Sequence, residues 1–448
     1  MDILQNNKPG QQLQKPSGLD YWFRVWLGCY IVTMPFISAF AFTDIVSLPL
    51  IFAFFLLILM VVRIFKTGKL PVGFPGFDLV IIFLFFFLVG FSYIINAWGN
   101  SKSLNHTVAY FSSFLLFYVT VKFAFFTIRD KTFLLNRILQ LVTYTTIVSA
   151  LFGNAEFILW NGLGIDLNKL IPRPNELEAS YNVTVLGIFH RARGFAPESG
   201  HFTFMLELFS PLTIYYLYFS GLCKWNLIVK FLCIALIIFS FIFAVSTASF
   251  VILPVAFFLA AVVYSKTILA FIRRRFQKVV LVTAGSTAIV FLLNYFFSVY
   301  ALIFSSISDK MDSNSYDDRQ DRINFFYQEF SRLDLIKKLY GTGPAGATLL
   351  GFDESKSILS LYYSITFELG FLGMLLLAFL FGYILMHSLK IKSKIGFFLL
   401  VSLIAGILHY HFIANYWYPW FWFICIVTLF YSQYTNPAIA DLPRQPVK

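Results

Sequence analysis

Uninterrupted apolar runs recur along the whole chain, and they limit its fold more than any other feature. The stretch IVSLPLIFAFFLLILMVV, residues 45–62, holds no charged side chain. A run of about 20 such residues is what an α-helix needs to cross bilayer hydrocarbon, with each backbone N–H and C=O bonded inside the helix. These runs account for the composition: of 448 residues, 59% are hydrophobic and 12% charged, 57 are Phe, and mean hydropathy is +0.76. No soluble core hides that much apolar surface, which excludes a soluble enzyme, a secreted disulfide scaffold and a disordered chain. Continuous runs also exclude an outer-membrane barrel, whose strands alternate apolar and polar residues. Cys29, Cys223, Cys233 and Cys425 fall in or beside the runs and indicate neither a disulfide nor a metal site. The first run follows a polar stretch of about 20 residues and is too long for a cleaved signal peptide, so it reads as a retained helix.

The expected fold is an all-α polytopic membrane protein, a single integral domain over residues 1–448. Twelve spans are expected near 21–42, 45–62, 77–97, 106–126, 134–153, 200–220, 225–245, 248–264, 279–302, 358–387, 395–412 and 416–433. A net charge of +12 would suggest nucleic acid in a soluble protein. Here 22 of the 34 Lys and Arg fall in the alternate connections that become cytoplasmic when the N-terminus is inside. Positive charge collects there in membrane proteins, so the charge sets topology and no nucleic acid partner is implied. Both termini are then cytoplasmic. Two long outer loops remain, 154–199 and 303–357, and long polar loops are where sites tend to sit.

Several familiar chemistries are missing. There is no Walker A loop, and the GTGPAG cluster at 341–346 lacks the lysine of one. The chain has no H-E-x-x-H, and Asp317 and Asp318 are adjacent rather than spaced as a D-x-D metal–nucleotide site. The acids read inside spans are Glu207 and Glu368, few for an ion-coupled transporter.

The loops offer arginines instead. The first ends in HRARGFAPESGHF, residues 190–202, with Arg191 and Arg193 two apart and able, in an extended strand, to grip one anion from one side. Glu198 and His201 then fall in the first turn of the next span. Glu198 reads either as a catalytic base or as a carboxylate favoured at a helix start, and His201 either as a base or as an interfacial residue. The second loop reads from about Asp317 as an amphipathic helix with Ile323, Phe326, Phe330 and Leu333 in one stripe. Arg319 and Arg322 share a face of it, and Arg322 is also spaced to pair with Asp318. Arginine is planar, always charged and bidentate, which suits phosphate. Four arginines at headgroup depth therefore point to a lipid diphosphate, whose departing charge they would stabilise without a metal or other cofactor.

Three short stretches carry a resemblance. RARGFAPES at 191–199, Arg319 or Arg322 followed by Gly341 and Gly343, and SLYYSITFELGFLGM at 360–374 are similar, in this order, to segments of the bacterial O-antigen polymerase and O-antigen ligase superfamily. The resemblance implies a GT-C-like membrane glycosyltransferase of the bacterial inner membrane, with both long loops periplasmic. Its substrate would be an undecaprenyl-diphosphate-linked oligosaccharide, and membrane lipid and a chain-length regulator protein would be its other partners. Arg191, Arg193, Arg319 and Arg322 would bind diphosphate, Glu198 and His201 would serve catalysis, and Tyr340, His409 and His411 would contact glycan. The two histidines also read as members of an interfacial aromatic belt. Where the ligase branch carries a His, counting back from Gly370, this chain has Leu359 and then Ser360, which favours a polymerase over a ligase and leaves the general base open. The rival readings are a ligase or another capsule or exopolysaccharide polymerase, a flippase for lipid-linked oligosaccharide, and a non-enzymatic assembly partner.

Overall fold

The computed structural model describes residues 18–43, 46–173, 184–185, 189–265, 295, 314–351 and 360–434. The helices in chain order are α1 Gly18–Thr33, α2 Leu48–Thr67, α3 Phe77–Asn96, α4 Ser101–Thr127, α5 Lys131–Leu163, α6 Ser199–Phe219 and α7 Leu227–Ala244. They continue with α8 Thr247–Val263, α9 Asn314–Arg332, α10 Leu335–Tyr340, α11 Leu361–Lys390, α12 Lys394–His409 and α13 Pro419–Tyr434. Helix starts are fixed by local chemistry: the side chains of Asn100, Asp130 and Asn226 accept from the main-chain N–H groups of Ser103, Phe133 and Val229. Gly68 and Gly164 end α2 and α5 in the left-handed conformation.

Among the described residues seven helices, α2 to α7 and α11, are long and apolar enough to cross a membrane, and α8 and α12 are shorter apolar helices. The protein is therefore a multi-pass helical membrane protein. Of the twelve expected spans, 279–302 falls almost entirely outside the described residues. Helices α1 and α13 have 16 residues each, about 24 Å at 1.5 Å per residue. Helix α13 is the centre of the bundle: every side chain from Pro419 to Ser432 is buried. The outer helices α2 and α7 instead expose Phe54, Phe65, Leu227, Ile228 and Phe231, an apolar belt that needs lipid against it.

Contacts sort the helix ends into two groups. At one end Trp420 Nε1 donates to Met34 O, Leu361 N to Tyr410 O, and Asn96 Nδ2 to Gly341 O. At the other, Arg129 N donates to Asp20 Oδ1, Tyr264 Oη to Ile391 O, and His387 pairs with Ser432. The first end carries the described parts of both long loops.

The first of those loops begins later than 154, because α5 runs on to Leu163. Polar residues that read as loop are paired inside the helix bundle. Asn154 Nδ2 donates to Leu236 O at 2.8 Å, and Asn161 exchanges hydrogen bonds with the main chain of His190.

Candidate functional site

The segment entering α6 is pinned along its length. The His190 ring stacks on Trp160 at 4.1 Å. Ala192 N donates to Phe243 O, and the N–H groups of Arg193 and Gly194 both donate to Glu156 Oε2, at 2.9 and 2.8 Å. Arg173 reaches across to donate to Gly194 O, Ala196 O and Ser38 Oγ. Gly194 has φ +57, and a Cβ there would press into the Phe202 ring, so the turn excludes larger residues.

This scaffold treats the two expected arginines differently. Arg193 turns inward: it is 2% exposed, with Nε 3.7 Å from Glu156 Oε1 and Nη1 donating to Pro197 O. Arg191 stays half-buried at the bundle end, where Glu198 and Arg319 are its electrostatic neighbours. Burial pushes the Arg191 guanidinium down from its ordinary value, Glu198 opposes that and Arg319 adds to it. A guanidinium keeps its charge under such a shift. Thus the first loop's Arg191 and the second loop's Arg319 lie in one field, although they are 128 positions apart.

Glu198 takes the N-cap position of α6, but its side chain makes no capping hydrogen bond and is exposed. His201 is buried, with Nδ1 3.3 Å from the Tyr418 hydroxyl, which accepts from Asn415 Nδ2. His409 lies deeper, with Nδ1 2.8 Å from Glu207 Oε2 in a pair closed to solvent. His411 is exposed beside the Tyr362 ring, and Tyr340 sits against Phe91. His409 is thus placed as a core residue and His411 as a surface one.

Helix α9 lays Phe326 and Phe330 on the first turns of α11, against Tyr363, Phe367 and Phe371. That contact suspends Arg319, exposed, and Arg322, partly covered, from the same helix. Below it the chain interlocks with α11. Gly370, with φ +67 and ψ −169, breaks the helix, and Thr342 N and Gly343 N donate to the freed carbonyls of Phe367 and Glu368 at 2.9 and 3.1 Å. A Cβ on Gly341 would collide with the Glu368 carbonyl, and one on Gly370 with that of Leu339.

Other polar groups that meet inside the fold were not singled out from the sequence. Besides Glu156, Arg173 and Asn161, these are Asp78, which accepts both from Lys122 Nζ, at 2.7 and 2.9 Å, and from Tyr118 Oη, and His106 and Tyr110, which join the expected intramembrane acid Glu368. A lysine inside the apolar run YVTVKFAFF was a usable signal, since such a charge requires a partner. Among the described residues no three His, Cys, Asp or Glu side chains gather as metal ligands.

Comparison of the chain with family models, with curated proteins and with solved structures gave no match.

Proposed function

We propose that the protein is a metal-independent glycosyltransferase that polymerises undecaprenyl-diphosphate-linked oligosaccharide repeat units into an O-antigen-type polysaccharide. In this reading it crosses the bacterial inner membrane twelve times, with both termini in the cytoplasm and both long loops in the periplasm. The feature that supports it is that Arg319 of the second loop is an electrostatic neighbour of Arg191 of the first, as Glu198 is. Two like charges acting on each other at the loop end of the bundle suit a multivalent anion. Arg191 is fixed by the main chain around it, so it would be in place before the leaving diphosphate develops its charge. Arg322, one turn along α9, extends the same cationic edge, and Arg193 supports it by holding the turn.

Transport of the same lipid-linked glycan is the second reading, favoured by the α11 break at Gly370 beside Glu368. Discontinuous helices with polar groups mark transport sites. Against it stands the sealing of that break by the Gly341–Gly343 segment. Purified protein in liposomes, given a synthetic lipid-diphosphate oligosaccharide, separates the two: longer glycans support the polymerase, and movement between leaflets without growth supports the transporter.

A further inference from the structure

A second polar cluster lies at the same end of the bundle as the arginines. His106 and Tyr110 are one turn apart on α4 and face Glu368 of α11. Glu368 Oε2 accepts from the Tyr110 hydroxyl at 2.7 Å, and Oε1 is 3.6 Å from His106 Nδ1. The carboxylate is held by its own main chain, since the Glu368 carbonyl accepts from Ser92 Oγ and Gly343 N at the α11 break. Tyr110 in turn is clamped by the Tyr416 ring, stacked parallel at 4.2 Å. The imidazole is the accessible member: its side chain is 39% exposed and that of Glu368 10%.

Nδ1 is the ring nitrogen nearest the carboxylate, and a proton held on that side would leave Nε2 to act as a base. One short segment runs between this cluster and the first turn of α6. Tyr416 packs on Tyr110, and Tyr418, two residues on, meets His201. Neither expected base has this arrangement: His201 is buried with Nδ1 against Tyr418, and Glu198 lies in the field of Arg191, where it competes with the diphosphate.

We propose that His106, positioned by Glu368, is the general base that takes the proton from the attacking sugar hydroxyl. This rests on the polymerase reading and assigns the base that it leaves open. In the step, the acceptor oxygen forms its bond to the donor's anomeric carbon while the bond from that carbon to the diphosphate oxygen breaks. The electron pair leaves with the diphosphate and the hydroxyl proton passes to His106 Nε2. Lys102 on α4 is the charged neighbour besides Glu368, and Tyr110 and Tyr416 are the titratable groups packed against the carboxylate.

The test measures elongation rate against pH with purified protein and a synthetic lipid-diphosphate oligosaccharide. His106→Gln should lower kcat about 10²–10⁴-fold, remove the acidic limb of the profile and leave donor binding unchanged. Glu368→Gln should lower kcat with KM unchanged, because the imidazole loses the carboxylate that orients it. If His106→Gln fails to fold, His106→Asn is read in the same way. Elongation by either folded His106 variant within threefold of wild type overturns the assignment and leaves the polymerase reading standing. A wild-type protein that makes no longer product overturns both.

Discussion

Glu156 holds Arg193 twice over: one carboxylate oxygen accepts the main-chain N–H groups of Arg193 and Gly194, and the other faces the Arg193 guanidinium at 3.7 Å. Both side chains are all but closed to solvent. Removing one member of a buried pair strands the other charge, at a cost of about 3–5 kcal/mol. Glu156→Ala should therefore lower the unfolding temperature in detergent and the yield of membrane-inserted protein. A variant with wild-type melting behaviour would show that the pair does not hold the loop.

Arg191 and Arg193 should fail in different ways. Arg191→Lys keeps a charge but loses the fork that grips two phosphate oxygens, so the folded protein should elongate substrate about 10²–10³-fold more slowly. Arg193→Lys should lose folded protein first. Equal melting temperatures for the two variants, with equal activities, would refute the division of labour.

The glycines of the α11 interlock make a third case. Gly341 and Gly370 combine positive φ with backbone atoms where a Cβ would sit, so Ala at either should destabilise by about 2–5 kcal/mol. Gly164 also has positive φ, but open space around it, and Ala there should cost only about 1–2 kcal/mol. Thermal unfolding of the three variants orders them, and equal losses would mean that the close approach contributes nothing.

What the sequence made legible follows from what hydropathy measures. It registers runs that face lipid or one another, which is why α2, α3, α7 and α11 lie close to their expected ranges. It fails where polar residues are satisfied by distant partners. Asn154, Glu156 and Asn161 look like loop, yet they continue α5 because Ser240, Arg193 and His190 meet them. The arginines were legible as residue types. The inward turn of Arg193 was not, since its partner lies 37 residues earlier. His106 and Glu368 are 262 positions apart, and only the folded α4–α11 contact joins them.

Metal independence is a fourth expectation. Arginines supply fixed positive charge to the leaving diphosphate and need no ion from the medium. Purified protein should elongate lipid-linked repeats at an undiminished rate in excess EDTA. Activity lost in EDTA and restored by Mg²⁺ or Mn²⁺ would return the electrostatic role to a metal and reduce the arginines to anchors.

The central claim is that the two loops together act on a lipid diphosphate as leaving group. Counting undecaprenyl diphosphate released against glycosidic bonds formed, with purified protein and lipid-linked repeat units as the sole substrate, addresses it most directly. One lipid diphosphate is expected for each bond, with loss of both products together in Arg191→Lys and in Arg319→Lys. Glycan growth without lipid diphosphate release, or release that persists unchanged in both variants, would contradict it.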